Sequence, residues 1–233
     1  MQIGKLTVLS GGAAQGLVAA LAPEFKARTG CEIDGTFGAV GAMRDKLIAG
    51  VPADLLILTQ ALIAALEVEG RVAAGSAVDI GTVDTAVAVR NGDQSPNVGD
   101  AAGLRAALLA ADAIYFPDPK LATAGIHFAN VLERLGISAQ LVGRLRPFPN
   151  GATAMRELAG AQGAHPIGCT QVTEILNTPG VQLVAPLPQG YELATVYTAA
   201  VCAGAALPEE ARELSQLLAG EPARSARKEA GFT

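Results

Sequence analysis

Asp54-Leu55-Leu56-Ile57-Leu58 is an unbroken apolar run behind a single carboxylate, with Gly50-Val51-Pro52 just upstream and a helical pattern just downstream. A strand that does not alternate is one buried on both faces, and such strands belong to parallel sheets covered by helices. The stretches before it agree. Leu6-Thr7-Val8-Leu9 reads as a strand, Leu17, Leu21 and Phe25 recur at helical spacing, and Cys31 to Phe37 reads as a second strand. Met43, Leu47 and Ile48 then mark one face of a short helix. Downstream the alternation continues: a helix over Ala61 to Val68, and a strand over Val83 to Val89 with Val87 and Val89 on one face and Ala86 and Ala88 on the other. Further helices fall at Leu104 to Leu109, Ile126 to Leu135 and Met155 to Leu158, and strands at Ala113 to Phe116 and Ile167 to Cys169. Tyr191 to Cys202 is a long β-type stretch, and helices over Pro208 to Leu218 and Pro222 to Ala230 close the chain.

A second βαβ unit followed by a long strand predicts an α/β protein of two lobes, each a mainly parallel sheet flanked by helices. Two strands cross between the lobes, near Val83 to Arg90 and Tyr191 to Ala199. Residues 1–84 and 192–233 form the first lobe and 85–191 the second, with a ligand expected in the cleft outside the carboxyl ends of the strands.

The 233 residues are half apolar, enough for a substantial core, and carry a net charge of −5 with no run of Lys or Arg. That balance argues against nucleic acid as a partner and against insertion into a membrane. An anionic ligand would have to be held by local geometry, since the overall field repels it. Cys31, Cys169 and Cys202 are odd in number and lack metal-ligand spacing, so they read as small buried hydrophobes, with no metal site and no cofactor expected. Met1-Gln2-Ile3-Gly4-Lys5 leads directly into a strand without the features of a secretory leader. This predicts a cytoplasmic location for the chain as written, and a periplasmic one if a leader has been trimmed.

Five junctions that lead into helices consist largely of small residues: Ser10-Gly11-Gly12-Ala13, Phe37-Gly38-Ala39-Val40-Gly41, Thr123-Ala124-Gly125, Asn150-Gly151-Ala152-Thr153 and Gly168-Cys169-Thr170-Gln171. Each offers backbone N–H groups at the positive end of a helix dipole, the chemistry of an anion site. Nucleotide phosphate is not the expected anion, because Gly11 to Gly16 is followed by Leu17-Val18 and not by the Lys and Ser/Thr of a P-loop. Ser10 has no nucleophile elbow, and His165, ahead of Pro166, is expected to face water.

Leu6-Thr7-Val8-Leu9-Ser10, Gly41 to Gly50 with Ala53-Asp54-Leu55-Leu56-Ile57, Tyr115-Phe116-Pro117-Asp118-Pro119 with Ala124-Gly125, and Ile167-Gly168 ahead of Gln171 to Glu174 together resemble molybdate-binding-protein-like (ModA-like) solute-binding proteins. The resemblance spans nearly the whole chain. It implies the type II periplasmic-binding-protein fold, an oxyanion held by hydroxyls and amides, and an ABC permease as partner if the protein is exported. Carried over by position, Ser10, Gly11 and Gly12 supply one edge of the site, Gly38 and Ala39 a second, Ala124 and Gly125 a third, and Ala152 and Thr153 a fourth. Thr123 and Thr170 flank these edges. Gln171 stands where molybdate binders carry a Tyr, and the serine of their second loop is absent, Gly38-Ala39 standing there instead. Two hydroxyl donors are thus missing, each worth roughly 1.5–3 kcal/mol to a charged ligand, which weighs against molybdate.

The same resemblance extends to an aconitate-isomerase-like branch. Two readings follow: a binder of a small oxyanion or organic carboxylate, and a cofactor-free isomerase moving a proton within an unsaturated di- or tricarboxylate. For the second, Glu174, His127 and Tyr197 are the candidate bases, Glu174 being set against the plainer role of an exposed first-turn carboxylate. Arg44 discriminates by its direction. A cation turned toward the ligand, Arg44 or Arg90, favours a polycarboxylate, whereas a site of neutral donors favours a compact oxyanion.

Overall fold

Leu55, Leu56, Ile57 and Leu58 are all fully buried in the computed structural model, which describes residues 4–233. The N-terminal reading at Met1-Gln2-Ile3 lies outside the described residues. β1 (Lys5–Gly11) leads through a tight turn into α1 (Gln15–Thr29), β2 (Glu32–Gly38) into α2 (Val40–Ile48), and β3 (Leu55–Thr59) into α3 (Gln60–Val68). β4 (Val78–Arg90) follows, then α4 (Ala101–Ala110), β5 (Ile114–Pro117), α5 (Thr123–Arg134), α6 (Ser138–Leu141), β6 (Leu145–Phe148), α7 (Gly151–Ala159), β7 (Ile167–Gln171), α8 (Val172–Leu176) and β8 (Val181–Pro186). β9 (Ala194–Val201), α9 (Pro208–Ala219) and α10 (Arg224–Glu229) complete the chain. Two units result: one comprises the chain up to Val83 together with Val196–Thr233, the other Asp84–Thr195. The chain passes from one to the other inside β4 and returns inside β9.

In the first unit β1 runs parallel to β2 and β3, with Ser10 beside Phe37 on one side and Ile57 on the other, and β9 closes antiparallel on β3. α1 buries Leu17, Leu21 and Phe25, the predicted stripe, and ends at Gly30 in the left-handed region, which its missing Cβ allows. α2 departs from expectation. Met43 is buried but Ile48 is 47% exposed, because the helix stops there and its last turn has no sheet beneath it.

In the second unit β5 is parallel to β6 and β7, and β4 runs antiparallel to β7 and β8. The alternation read in β4 holds. Val87 and Val89 pack with Leu104, Leu108, Phe128 and Val131, while Ala86 and Ala88 pack with Ala154, Met155 and Leu158. β4 also starts earlier than expected, at Val78. Four short elements, α6, β6, α8 and β8, carry too few residues to show a period, and contacts with neighbouring strands and helices decide them.

Asp54, just ahead of β3, is only 3% exposed. Its carboxylate accepts hydrogen bonds from the Thr7 amide (2.8 Å), the Thr7 hydroxyl (2.7 Å), and the amides of Ala206 (2.7 Å) and Leu207 (3.0 Å). It ties β1 to the start of α9, more than 150 residues away in sequence for Leu207. Burial alone would raise its pKa, but the four donors win and hold it below the ordinary carboxylate value. Its contribution to stability is therefore present above the ordinary value of an unfolded aspartate and is lost as pH falls through the lower folded value. Asp54→Ala, which leaves four donors without an acceptor, is expected to destabilise the protein by about 3–5 kcal/mol. Asp54→Asn should flatten the acid limb of a plot of thermal midpoint against pH, read by circular dichroism.

Candidate functional site

At the carboxyl end of β1, Ser10 is fully buried and its hydroxyl donates to the Gly11 carbonyl at 2.9 Å. A Cβ on Gly11 would collide with Val40 and with the ring of Tyr197, so Gly11 is required by packing inside its own unit. Gly12 opens the tight turn before α1, and no side chain caps that turn. A Cβ on Gly38 would meet only the Met43 methyl, the flexible end of its side chain. Ala39 is the residue before α2, extended in backbone and 5% exposed, and it too provides no side-chain cap. Tyr197 stands on β9 opposite Thr59, edge-on to Phe232. Arg44 is half-exposed, and its Nε and Nη2 both donate to Asp45, at 3.0 and 2.8 Å.

In the second unit, Asp118 organises the loop after β5 by accepting from the amides of Lys120 (2.7 Å) and Leu121 (2.9 Å). Thr123 and the buried Ala124 then begin α5, again without a side-chain cap. Gly125 faces the carbonyl oxygens of Pro117 and Asp118, which occupy the place a Cβ would need. His127 is half-buried, and its Nε2 meets the Tyr191 carbonyl at 2.7 Å, as a donor in the tautomer that this contact requires. Arg90 pairs with Asp93 through Nε (2.7 Å) and also donates to the Ala161 carbonyl.

α7 starts differently. Asn150 caps it by accepting from the Thr153 amide at 2.8 Å, and the Glu174 carboxylate takes the amides of Gly151 and Ala152. Glu174 also accepts from the Gln171 amide and from the Thr170 hydroxyl at 2.5 Å. It is 7% exposed, which corrects the plainer sequence reading of an exposed first-turn carboxylate. Gly151 is a glycine because Glu174 and Thr170 fill the space beside it. The donors at Ala152 and Thr153 that the sequence offered to a ligand are thus engaged by the chain's own carboxylate and amide.

The sequence model of bacterial extracellular solute-binding proteins matches residues 6–233. The chain belongs to that family. It is 28% identical to an aconitate isomerase of Pseudomonas sp. over 238 aligned residues, covering 97% of this chain and 87% of that protein. The periplasmic molybdate-binding protein of Azotobacter vinelandii superposes with a TM-score of 0.80 at 20% identity, over 98% of both chains. The sulfate-binding protein SubI of Mycobacterium tuberculosis gives 0.76 at 19% identity, over 98% of this chain and 86% of that one. These likenesses establish the type II periplasmic-binding-protein fold that the sequence motifs implied.

Among the described residues of this solute-binding protein, no group of His, Cys, Asp or Glu could hold a metal ion, and no helix is long and apolar enough to cross a membrane. The three cysteines are buried thiols, and burial pushes Cys202 up to about 12 and Cys169 higher, so neither supplies a thiolate at neutral pH. His165 is exposed, and its amide donates to Asp112. Sequence reading overlooked two fully enclosed side chains, Thr85 on β4 and Thr173 on α8, whose hydroxyls have no hydrogen-bond partner; Gln171 Oε1 shares that condition. The available signal was Thr85 itself, a polar residue at the head of the apolar run in β4.

Burial pushes the Glu174 carboxyl above the ordinary carboxylate value, even though the Thr170 hydroxyl and three amides pull it down. Between the ordinary and the raised value the folded protein holds a proton that the unfolded chain releases, so stability falls as pH rises through that window. Glu174→Gln removes this titration. The thermal midpoint of the variant should fall less than that of the parent as pH is raised from about 4.5 to 7.

Proposed function

We propose that this solute-binding protein captures a small anion of low charge, uncharged donors replacing its hydration shell. The observation that supports this is that α1, α2 and α5, the helices behind three of the expected ligand edges, start without a side-chain cap, as do several shorter or later helices, whereas α3, α4 and α7 are capped by Thr59, Asp100 and Asn150. Uncapped N–H groups at the positive end of a helix are anion donors. Arg44 and Arg90, the cations that would favour a polycarboxylate, are each matched by a neighbouring aspartate. The family description, extracellular solute-binding protein, also supports action outside the cytoplasm.

The test is the thermal midpoint against molybdate, tungstate, sulfate, phosphate, citrate and both aconitate isomers. A ligand at a hundred times its Kd should add about 2.7 kcal/mol. Ala39→Asp supplies α2 with a cap, worth about 1 kcal/mol to the free protein, and places a carboxylate where the anion is bound. It should abolish the ligand-induced shift without lowering the midpoint of the free protein, and a shift that survives in this variant defeats the assignment.

A second reading, a cofactor-free isomerase of an unsaturated carboxylic acid, is favoured by the likeness to the Pseudomonas enzyme along 97% of the chain. His127 and Tyr197 are the candidate bases beside Glu174, whose carboxylate oxygens are already surrounded by donors. Incorporation of deuterium into aconitate from heavy water, followed by NMR, would establish turnover; aconitate that binds without exchange leaves the protein a binder.

A further inference from the structure

Thr85 and Gln171 are directly opposed across the antiparallel pair β4 and β7, so their side chains lie on one face of the sheet. Two residues away on each strand are Val87 and Cys169, which bury that same face against α4 and α5. Because β7 runs parallel to β5, its carboxyl end lies at the sheet edge from which the chain leads into α5, the helix that begins without a side-chain cap. Thr85, Gln171 and Thr173 are 1%, 2% and 3% exposed, yet Thr85 Oγ1, Gln171 Oε1 and Thr173 Oγ1 have no hydrogen-bond partner. Gln171 spends its Nε2 on the Thr195 hydroxyl at 3.5 Å, which leaves the carbonyl oxygen as a pure acceptor. A buried polar group without a partner is costly, and native structures rarely retain one without a use for it.

The chemistry of these three atoms restricts what can satisfy them. A fully deprotonated oxyanion offers acceptors only, which suit the two hydroxyls and leave Gln171 Oε1 unpaired. A ligand that carries an O–H group as well as anionic oxygens satisfies all three. We infer that Thr85, Gln171 and Thr173 form a specificity pocket in the second unit for an anion bearing its own hydroxyl donor, either a hydroxycarboxylate or a hydrogenphosphate. The inference rests on the anion-binding reading above and sharpens it. A site built around an acceptor for a ligand hydroxyl rejects the analogue that lacks it, because the acceptor is then buried without a partner.

Matched pairs test this by isothermal titration calorimetry on the full chain: malate against succinate, citrate against tricarballylate, and phosphate against sulfate at neutral pH. The expected result is at least tenfold tighter binding of the hydroxyl-bearing member in one of the pairs, and the pair that discriminates names the source of the hydroxyl. Gln171→Met, which keeps the length and removes the acceptor, should reduce that ratio to less than about threefold, and Gln171→Leu supplies an independent variant should Gln171→Met fold poorly. Thr85→Val and Thr173→Val, which remove hydroxyls that serve the anionic oxygens of both members, should weaken both and retain the ratio. Equal affinity within every pair, or a ratio unchanged in both Gln171 variants, overturns the pocket and leaves the anion-binding reading standing. Absence of any binding across the pairs and the molybdate and tungstate series overturns both.

Discussion

A carboxylate taken out of water must be surrounded by donors, and each unit of this protein is organised around one. Asp54 gathers the amide and hydroxyl of Thr7 and the amides of Ala206 and Leu207, joining the start of β3 to β1 and to the approach of α9. Glu174 gathers the Thr170 hydroxyl and the amides of Gly151, Ala152 and Gln171, joining the end of β7 to the start of α7. The two solve the same problem with opposite balances. At Asp54 the donors outweigh desolvation, and at Glu174 desolvation outweighs the donors. One carboxylate therefore stabilises the fold increasingly as acid is neutralised, and the other does so decreasingly.

The same need for pairing sorts the helix starts. A helix presents N–H groups that only a side chain, water or a ligand can satisfy. Where the chain supplies its own acceptor, as at Thr59, Asp100, Asn150 and Glu174, the terminus is closed to other anions. Where it supplies alanine, as at Ala39 and Ala122, no side chain caps the helix. Small residues alone do not mark a ligand edge. Gly11, Gly125 and Gly151 are each explained by a neighbour inside their own unit: Tyr197 and Val40, two carbonyls of the preceding loop, and Glu174.

Much of the fold could be read in advance because its signals are local. The unbroken run at Leu55 to Leu58, the stripe of Leu17, Leu21 and Phe25, and the alternation of Val87 and Val89 with Ala86 and Ala88 each state a burial pattern within a few residues of chain. The candidate site was less legible. Ser10, Gly38, Ala39, Thr123, Ala124 and Gly125 could be named from strand-to-helix junctions, but whether Ala152 and Thr153 keep free donors depends on Asn150 and on Glu174, the latter more than twenty residues downstream. The direction of Arg44 was not legible either, since it depends on the side chain of Asp45, which accepts from its Nε and Nη2.

The sequence by itself determined the α/β alternation and the longer strands and helices, because periodicity and turn chemistry are properties of short segments. Only the tertiary structure decided which polar groups are paired. The burial of Glu174, the latch at Asp54 and the three unpartnered atoms of Thr85, Gln171 and Thr173 follow from strand register and from contacts between residues distant in the chain. A hydrogen bond depends on two positions in space, and a sequence specifies the second of them only after the chain has folded.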